Sequence, residues 1–504
     1  MGFDFSSEQR RKLGYRVIDR IDQYFSSLKD RPVQQQSDER VFEDLRDALP
    51  EIGEDAAKVL DEISTELIDR GFHVPSANYF GLMNPTPTYM AVLAEALVAA
   101  LNPQLASLAR SQMASRIEAE TVRWVAERIG WSKSPAIPAK GKRVCDGTFT
   151  SGGNEANFTA LALALSSRFP SVVEDGVASI GARPVLYASS EAHHSLDKSV
   201  GLLGLGRKAL RRIPVNEELQ LDPVQLERRI EEDLAAGFRP IAIVATAGTT
   251  NSGAIDDLNL LADIAARHDI WLHVDAAYGG ALIFSDKYRN LLAGIERADS
   301  ITIDPHKWLA MPFSAGVVLT SHPELLEHTF AVMPPYMPRV SATRTLDNFK
   351  LSAQWSRRMN SLKFWLTLRV HGRRAYEQMI DRQFQLSEQI AEWIENSGTY
   401  ELTAPHKLPI LNFRVKGCAT EAETDEVNRQ ILEAATEDGR TWFSRTQVNG
   451  KNVLRLMVIS YLSDEHNVAV LTRALAKAAH KIAASTVTSM TRASGVRSGL
   501  RNLI

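Results

Sequence analysis

The sequence predicts an α/β protein built around a mostly parallel sheet, and two observations carry that expectation. Between about residues 148 and 320, apolar β-branched runs at 184–188, 241–246, 270–275, 300–304 and 316–320 alternate with helical segments such as 258–267. Strands that alternate with helices pair in parallel, because the crossover helices cover both faces of the sheet. The runs also lead into chemically distinctive side chains, Asp275 at the end of one and Lys307 in the turn after another. Ligands of such sheets collect beyond the carboxyl ends of the strands.

The elements follow in order. Residues 7–70 read as helical, broken by Pro32 and Pro50, with Leu60, Ile63, Leu67 and Ile68 spaced along one face. Around 77–88 the pattern gives way to Asn, Gly and Pro, a loop or boundary. Residues 89–101, rich in Ala, Leu and Val, are too few to span a bilayer and read as a buried helix. Val122, Val125, Ala126 and Ile129 mark an amphipathic helix closed by Gly130. A short strand precedes Thr150, and a helix covers 158–167. Pro334, Pro335 and Pro338 make 333–345 an exposed loop ahead of a long helix near 359–396. Two strand-like runs, 410–415 and 453–459, are each followed by helical segments, an α+β pattern. The expected division is therefore an N-terminal helical segment (1–85), a large domain (86–396), a small α+β domain (397–483) and a Ser/Thr-rich tail (484–504).

A chain of 504 residues, 44% hydrophobic and 24% charged, has the balance of a globular protein with two or three domains. A formal net charge of -3 invites neither nucleic acid nor an anionic membrane. Two cysteines, Cys145 and Cys418, cannot build a disulfide framework or a cysteine-based metal site; reduced thiols in the cytoplasm are the expectation. Residues 1–11 are polar and carry no secretory signal, and no metal site is expected.

Lys307 lies in Asp299-Ser300-Ile301-Thr302-Ile303-Asp304-Pro305-His306-Lys307-Trp308, and Asp275 in Trp271-Leu272-His273-Val274-Asp275-Ala276-Ala277-Tyr278-Gly279-Gly280. A lysine beyond one strand and an aspartate ending another meet the two demands of pyridoxal phosphate (PLP). The amine condenses with the aldehyde, and the carboxylate pairs with the pyridinium nitrogen. Asp275 read alone is equally a strand-end cap. As a partner ~4 Å from a pyridinium, at an effective dielectric of ~20, it is worth roughly 4 kcal/mol, about three pKa units. That keeps the ring protonated and electron-withdrawing. Upstream, Thr150-Ser151-Gly152-Gly153-Asn154-Glu155-Ala156-Asn157 joins a strand to a helix, where free amides can face a phosphate. Its spacing is not that of a P-loop, and Gly201, Gly204 and Gly206 do not match a dinucleotide fingerprint. His193 is either structural or stacked on a cofactor ring. Thr249 and Thr250 either form a turn or meet cofactor oxygens.

These motifs resemble the group II PLP-dependent amino-acid decarboxylases, among them the aromatic-L-amino-acid, tyrosine, histidine and glutamate decarboxylases. The resemblance runs from about residue 70 to 475. It is most specific at 271–279 and 304–308, with support from Ser356-Arg357-Arg358-Met359-Asn360-Ser361-Leu362-Lys363. It implies the fold-type-I, aspartate-aminotransferase-like architecture, with a seven-stranded large domain, in a homodimer with shared active sites. It also implies Lys307 as the cofactor lysine, Asp275 as the pyridinium partner, His193 and Ala277 on opposite ring faces, and Gly153, Asn154, Thr250 and His306 as cofactor contacts. Ser356 resembles a phosphate contact given to the neighbouring subunit, and Tyr336 the catalytic tyrosine of a mobile loop. Where some members carry Asn before Pro-His-Lys, this chain has Asp304, expected to orient His306 or a backbone amide.

The implied reaction is decarboxylation of an L-amino acid to an amine and CO2. Tyr79, Phe80 and Met83 are candidates for the substrate pocket and lean toward an aromatic side chain; core packing is their other reading. An aldehyde synthase, a glutamate or diamino-acid decarboxylase, and an aminotransferase gripping its substrate through Arg455 are the neighbouring possibilities. A non-catalytic PLP-binding scaffold is the reading from another class.

Overall fold

The computed structural model describes residues 3–34, 49–131, 145–332 and 347–494, with side chains to 484 in the last helix. It forms two compact units, Met1–Leu82 with Glu388–Leu402 and Phe413–Ile504, and Met83–Ser387 with Thr403–Asn412. Tyr336 lies outside the described residues.

The chain opens with α1 (Ser7–Ser27) and α2 (Ala56–Asp69). Ser6 and Gln9 close a reciprocal capping box at the start of α1, and Asp55 accepts from the Lys58 amide at the start of α2. Both helices belong to the smaller unit.

In the larger unit, α3 (Tyr89–Leu101) and α4 (Gln112–Ile129) precede β1 (Asp146–Thr150) and α5 (Gly153–Arg168). Then come α6 (Val172–Asp175), β2 (Arg183–Ser189), α7 (Ser195–Leu202), β3 (Leu210–Ile213), α8 (Pro223–Ala235) and β4 (Phe238–Thr246). The run closes with α9 (Leu258–His268), β5 (Trp271–Asp275), β6 (Ser300–Ile303), β7 (Gly316–Thr320), α10 (Leu325–Phe330) and most of α11 (Ser361–Asn396). The seven strands lie in the order β1-β7-β6-β5-β4-β2-β3. Only β7 runs against its neighbours β1 and β6; the other pairs are parallel.

The parallel strands are buried along nearly their whole length: residues 240–246 of β4 and all of β5 and β6 are buried. Helix α5 covers the sheet with small residues, Ala156 and Ala160 packing on Val318 of β7. The register sets Thr246 beside Asp275 and Asp275 beside Thr302, so three polar side chains leave the sheet at adjacent carboxyl ends. Gly130 closes α4 in the left-handed conformation at φ 110°, as the pattern before it requires. Helix α3 departs from the expectation of a buried helix. Ala91, Ala94 and Val98 are buried, yet Leu97 is 52% and Leu101 72% exposed, because this chain covers one face of a segment that is mostly apolar, Glu95 being its one charge.

The smaller unit takes the end of α11 from Glu388, then β8 (Tyr400–Leu402), β9 (Ile410–Val415, from Phe413 on), α12 (Glu421–Thr436), β10 (Ser444–Val448), β11 (Lys451–Met457) and α13 (Glu465–Ser494). The four strands order as β10-β11-β9-β8. The N-terminal segment is no separate layer. Phe80 donates its amide to the Trp442 carbonyl at 2.8 Å and accepts from Met457 N at 3.0 Å, tying residues 79–80 to the C-terminal strands. The boundary therefore falls at 82/83 rather than 85. Helix α13 runs through Ser494, past the tail expected from 484, because Ser, Thr and Ala there do not break a helix already under way. Arg455, the residue with which an aminotransferase would grip its substrate, is 4% exposed in β11 and donates to Ser444 Oγ at 3.1 Å. Among the described residues, no helix is long and apolar enough to cross a membrane.

Candidate active site

A cavity of about 270 Å3 opens at the carboxyl ends of the strands of the larger unit. It is lined by Met83, Gly152, Gly153, Asn154, Asn157, His193, Ser195, Thr246, Gly248, Thr250, Asp275, Ala277, Tyr278, Asp304, His306 and Lys307. The fold thus brings together eight of the sequence candidates from five separate segments. Met83 makes a ninth.

Asp275 is 6% exposed at the end of β5. Its Oδ2 accepts from Asn157 Nδ2 at 2.8 Å and its Oδ1 from the Ala277 amide at 3.1 Å. Lys307 follows β6 through the turn of Asp304, whose carbonyl its amide meets at 3.0 Å. Its Nζ lies 3.3 Å from Asp304 Oδ2. Asp304 is buried, and that burial raises its pKa to about 6 against the opposing charge of Lys307. Its carboxylate also accepts from the Gly153 amide and lies 3.5 Å from His306 Nε2. His306 Nδ1 accepts from the Ala315 amide at 2.9 Å; burial, helped by the charges of Lys307 and Lys363, pushes this ring down to about 3. His306 is therefore neutral at physiological pH.

His193 stands exposed at the mouth, its Nδ1 accepting from the Ser195 amide at 3.1 Å. The cleft around it desolvates the ring and lowers its pKa, with Asp275 pulling the other way. Thr249 and Thr250 part company. Thr249 turns into the loop, where it bonds Ser252 Oγ at 2.9 Å and the Ala254 amide at 3.1 Å, while Thr250 lines the cavity.

The remaining candidates lie elsewhere. Tyr79 and Phe80 are fully buried in the smaller unit, Tyr79 stacked on Trp442 at 5.5 Å. They take the core-packing reading and do not line the cavity. Ser356 is exposed and receives a hydrogen bond from Gln104 Nε2 at 3.2 Å.

Several lining residues escaped the sequence reading: Asn157, Ser195, Thr246, Gly248 and Tyr278. Asn157 had one usable signal, its place four residues after Gly153 and so on the same face of α5. The rest are assembled by the fold alone.

The residues present fit PLP. Thr246 Oγ1 and Asp304 Oδ1 are buried without a hydrogen-bond partner among the described residues, so the cavity holds unspent polar groups. The glycine turn admits no side chain: a Cβ on Gly153 would stand 2.7 Å from Asp304 Oδ2, and one on Gly152 2.8 Å from His306 Cε1. One amine and one buried carboxylate at neighbouring strand ends complete the donor set that this cofactor requires.

The comparisons agree. The profile of the family described as "Pyridoxal-dependent decarboxylase conserved domain" matches residues 39–416, and the chain belongs to that family. It is 32% identical over 460 residues to an aromatic-L-amino-acid decarboxylase of Bacillus atrophaeus, covering 90% of this chain and 92% of that protein. It is 27% identical over 468 residues to a phenylacetaldehyde synthase of Arabidopsis thaliana, covering 92% and 94%. The crystal structure of Oryza sativa TDC with PLP and tryptamine superposes with a TM-score of 0.88 at 26% identity, over 96% of this chain and 100% of that one. The fold is that of fold-type-I PLP enzymes, and the chain is a PLP-dependent amino-acid decarboxylase.

Proposed function

We propose that this enzyme decarboxylates an aromatic L-amino acid to the corresponding amine and CO2, at the cavity of the larger unit. The observation that carries the reading is the convergence of Asp275 and Lys307 on one desolvated cavity at neighbouring strand ends. PLP, bound there, supplies an aldehyde that condenses with amines and a ring that withdraws electrons. Lys307 would offer the amine that holds it, and Asp275, gripped by two N–H donors, would pair with the ring nitrogen. His193 and Ala277 would hold the ring, and the residues of the Gly152-Gly153 turn, with Thr250, would hold the phosphate. Asp304 holds the Lys307 ammonium while that amine is free. Tyr336 gives a proton to the substrate carbon that has lost CO2.

The aromatic preference rests on the Bacillus relative named above and on Met83 in the lining. We also infer a homodimer in which the exposed Ser356 and the loop of Tyr336 serve the partner's site. The exposed apolar face of α3, with Leu97 and Leu101, supports an association of that kind. Cys145 and Cys418, neither of them in a disulfide among the described residues, suit a cytoplasmic location.

Measuring CO2 release over the protein amino acids plus diamino acids tests the substrate. Release from Trp, Tyr or Phe at rates far above those from Glu or diaminobutyrate is expected. A preference for Glu or a diamino acid would overturn the aromatic assignment, and an aldehyde as the main product would overturn the amine. Sedimentation tests the dimer, since a fully active monomer at assay concentration excludes it.

A further inference from the structure

Behind the cavity wall, a file of buried polar side chains crosses the sheet from one end of β5 to the other. Trp271 Nε1 donates to Ser300 Oγ at 2.8 Å, and Ser300 Oγ lies 2.9 Å from His273 Nδ1. His273 Nε2 lies 3.0 Å from Asn157 Oδ1, and Asn157 Nδ2 donates to Asp275 Oδ2 at 2.8 Å and to Ser195 Oγ at 3.1 Å. His273 is completely buried, and Ser300 and Asn157 nearly so.

The chemistry of these groups fixes the direction of the bonds at Asn157, while His273 Nδ1 faces both the Ser300 hydroxyl at 2.9 Å and the Ser300 carbonyl at 3.2 Å. A carboxylate only accepts, so the Asn157 amide nitrogen must face Asp275 and its oxygen must face His273. An acceptor opposite Nε2 requires the proton there. Burial pushes the His273 pKa down, against the pull of Asp275 and of the Ser300 carbonyl, and a ring with one proton carries it on Nε2, leaving Nδ1 to the nearer Ser300 hydroxyl. The indole N–H of Trp271 only donates, which frees the Ser300 hydroxyl proton for His273 Nδ1. The file therefore runs one way, from Trp271 through Ser300, His273 and Asn157, ending on Asp275. Without the His273 donor, the Asn157 carboxamide has nothing to hold its oxygen side and can turn.

We propose that His273 is a positioning residue: its Nε2–H locks the Asn157 side chain with its NH2 group on Asp275 and thereby fixes how that carboxylate meets the cofactor ring. Asn157 is the second member of the device, and through Ser195 it reaches the loop of His193, whose Nδ1 accepts from the Ser195 amide at 3.1 Å. A strand histidine two residues before a functional aspartate points to the same sheet face, so the pairing is built into the alternation of β5. The inference rests on the reading of Asp275 given above.

The test uses the PLP-loaded enzyme, with an NMR readout that does not depend on turnover. In histidine-15N-labelled protein, the ring assigned by its loss in His273→Gln should show a protonated Nε2 and a bare Nδ1 from pH 6 to 8. An Nδ1–H tautomer, or a ring that titrates in that range, overturns the proposal. Two variants then read the consequence. His273→Leu should lower kcat about 10- to 100-fold with KM within about threefold, the pattern of a misaimed group rather than a lost substrate contact. It should also raise the PLP concentration needed to half-saturate the visible absorbance. His273→Gln, which restores an N–H donor, should recover most of both. Equal losses in the two variants, or none in either, overturn it. If the parent enzyme releases no CO2 from any amino acid, the reaction assignment falls, while the NMR and PLP-saturation readouts still decide the role of His273.

Discussion

At the amino ends of β4, β5 and β6, a cavity of about 450 Å3 is lined by Arg168, Ile241, Asp269, Trp271, Arg297, Asp299 and His322, among others; the cavity at the carboxyl ends of the same sheet is about 270 Å3. The larger one carries more charge, but each charge is matched at the surface. Arg168 meets Asp269 at 2.6 Å, Arg297 meets Asp263 at 2.5 Å and His322 meets Asp299 at 2.6 Å, with Asp269 87% exposed. The smaller one holds two buried carboxylates, buried polar atoms without partners, and three perturbed side chains. Volume does not mark the end of this sheet that we propose as reactive. Desolvated groups with unspent hydrogen-bonding capacity do.

The sharpest way to break that contrast is Lys307→Ala. It should abolish the visible band of bound PLP and reduce turnover by at least about a thousandfold, with the fold kept. A variant that retains the band and the rate removes Lys307 from the chemistry. Asp275→Asn comes next. It keeps the shape, and PLP should still bind through Lys307. Turnover should fall about a thousandfold, in line with the roughly 4 kcal/mol of ring-charge stabilisation forgone. A loss of only a few-fold would mean that the carboxylate merely caps β5. In air-saturated buffer, with O2 as the oxidant and water as co-reactant, Tyr336→Phe should still release CO2 but yield aldehyde, ammonia and hydrogen peroxide in place of most of the amine. Measuring amine and peroxide together decides it, and an unchanged amine-only profile at the parental rate leaves Tyr336 no role.

How much of this was legible in the sequence depends on how local each signal is. Strands β5, β6 and β7 are apolar runs with a polar stop, and the sequence places them within a residue of their observed ends. Strand β3, Leu-Arg-Arg-Ile at the sheet edge, escaped because a half-exposed edge strand tolerates charge. Strand β10, Ser-Arg-Thr-Gln-Val, escaped for a related reason, its middle residues being exposed or half-buried. In the site, Lys307 and Asp275 announce themselves at strand ends. Asn157 sits inside a helix of small apolar residues and shows its role only when β5 is laid beneath it. Tyr79 and Phe80 mislead for the converse reason: apolar rings near a loop look alike whether they line a pocket or fill a core.

Asp304 sharpens the contrast through pH. Burial raises its folded-state pKa to about 6, from an ordinary value near 3.8, so the folded protein holds this proton more tightly than the unfolded chain does. The unfolded chain releases it first. Stability therefore falls as pH rises from about 4 to 6 and levels off above, a loss of about 3 kcal/mol from this group. Asp256, raised to about 6 by burial, acts in the same sense. In cofactor-stripped protein, Asp304→Asn isolates the first of the two. Its unfolding free energy relative to the parent should climb by a few kcal/mol between pH 4 and 7. A flat difference would show that Lys307 fully compensates the buried charge.

The smallest effect belongs at the other end. Arg168 lies in the last turn of α5, the helix whose first turn enters the active cavity, and its ion pair with Asp269 is largely solvated. Exposed pairs of this kind contribute about 0–1 kcal/mol and fade with salt. Arg168→Ala should leave turnover within about twofold and shift the unfolding free energy by less than about 1 kcal/mol. Trp271 is a poorer probe, because it lines this cavity and also heads the hydrogen-bonded file that ends on Asp275. Denaturant titrations at low and high salt, run beside steady-state rates, read both quantities. A tenfold loss of turnover in Arg168→Ala with the fold intact would mean that α5 carries information between its two ends. The larger cavity would then need a role that its paired charges do not suggest.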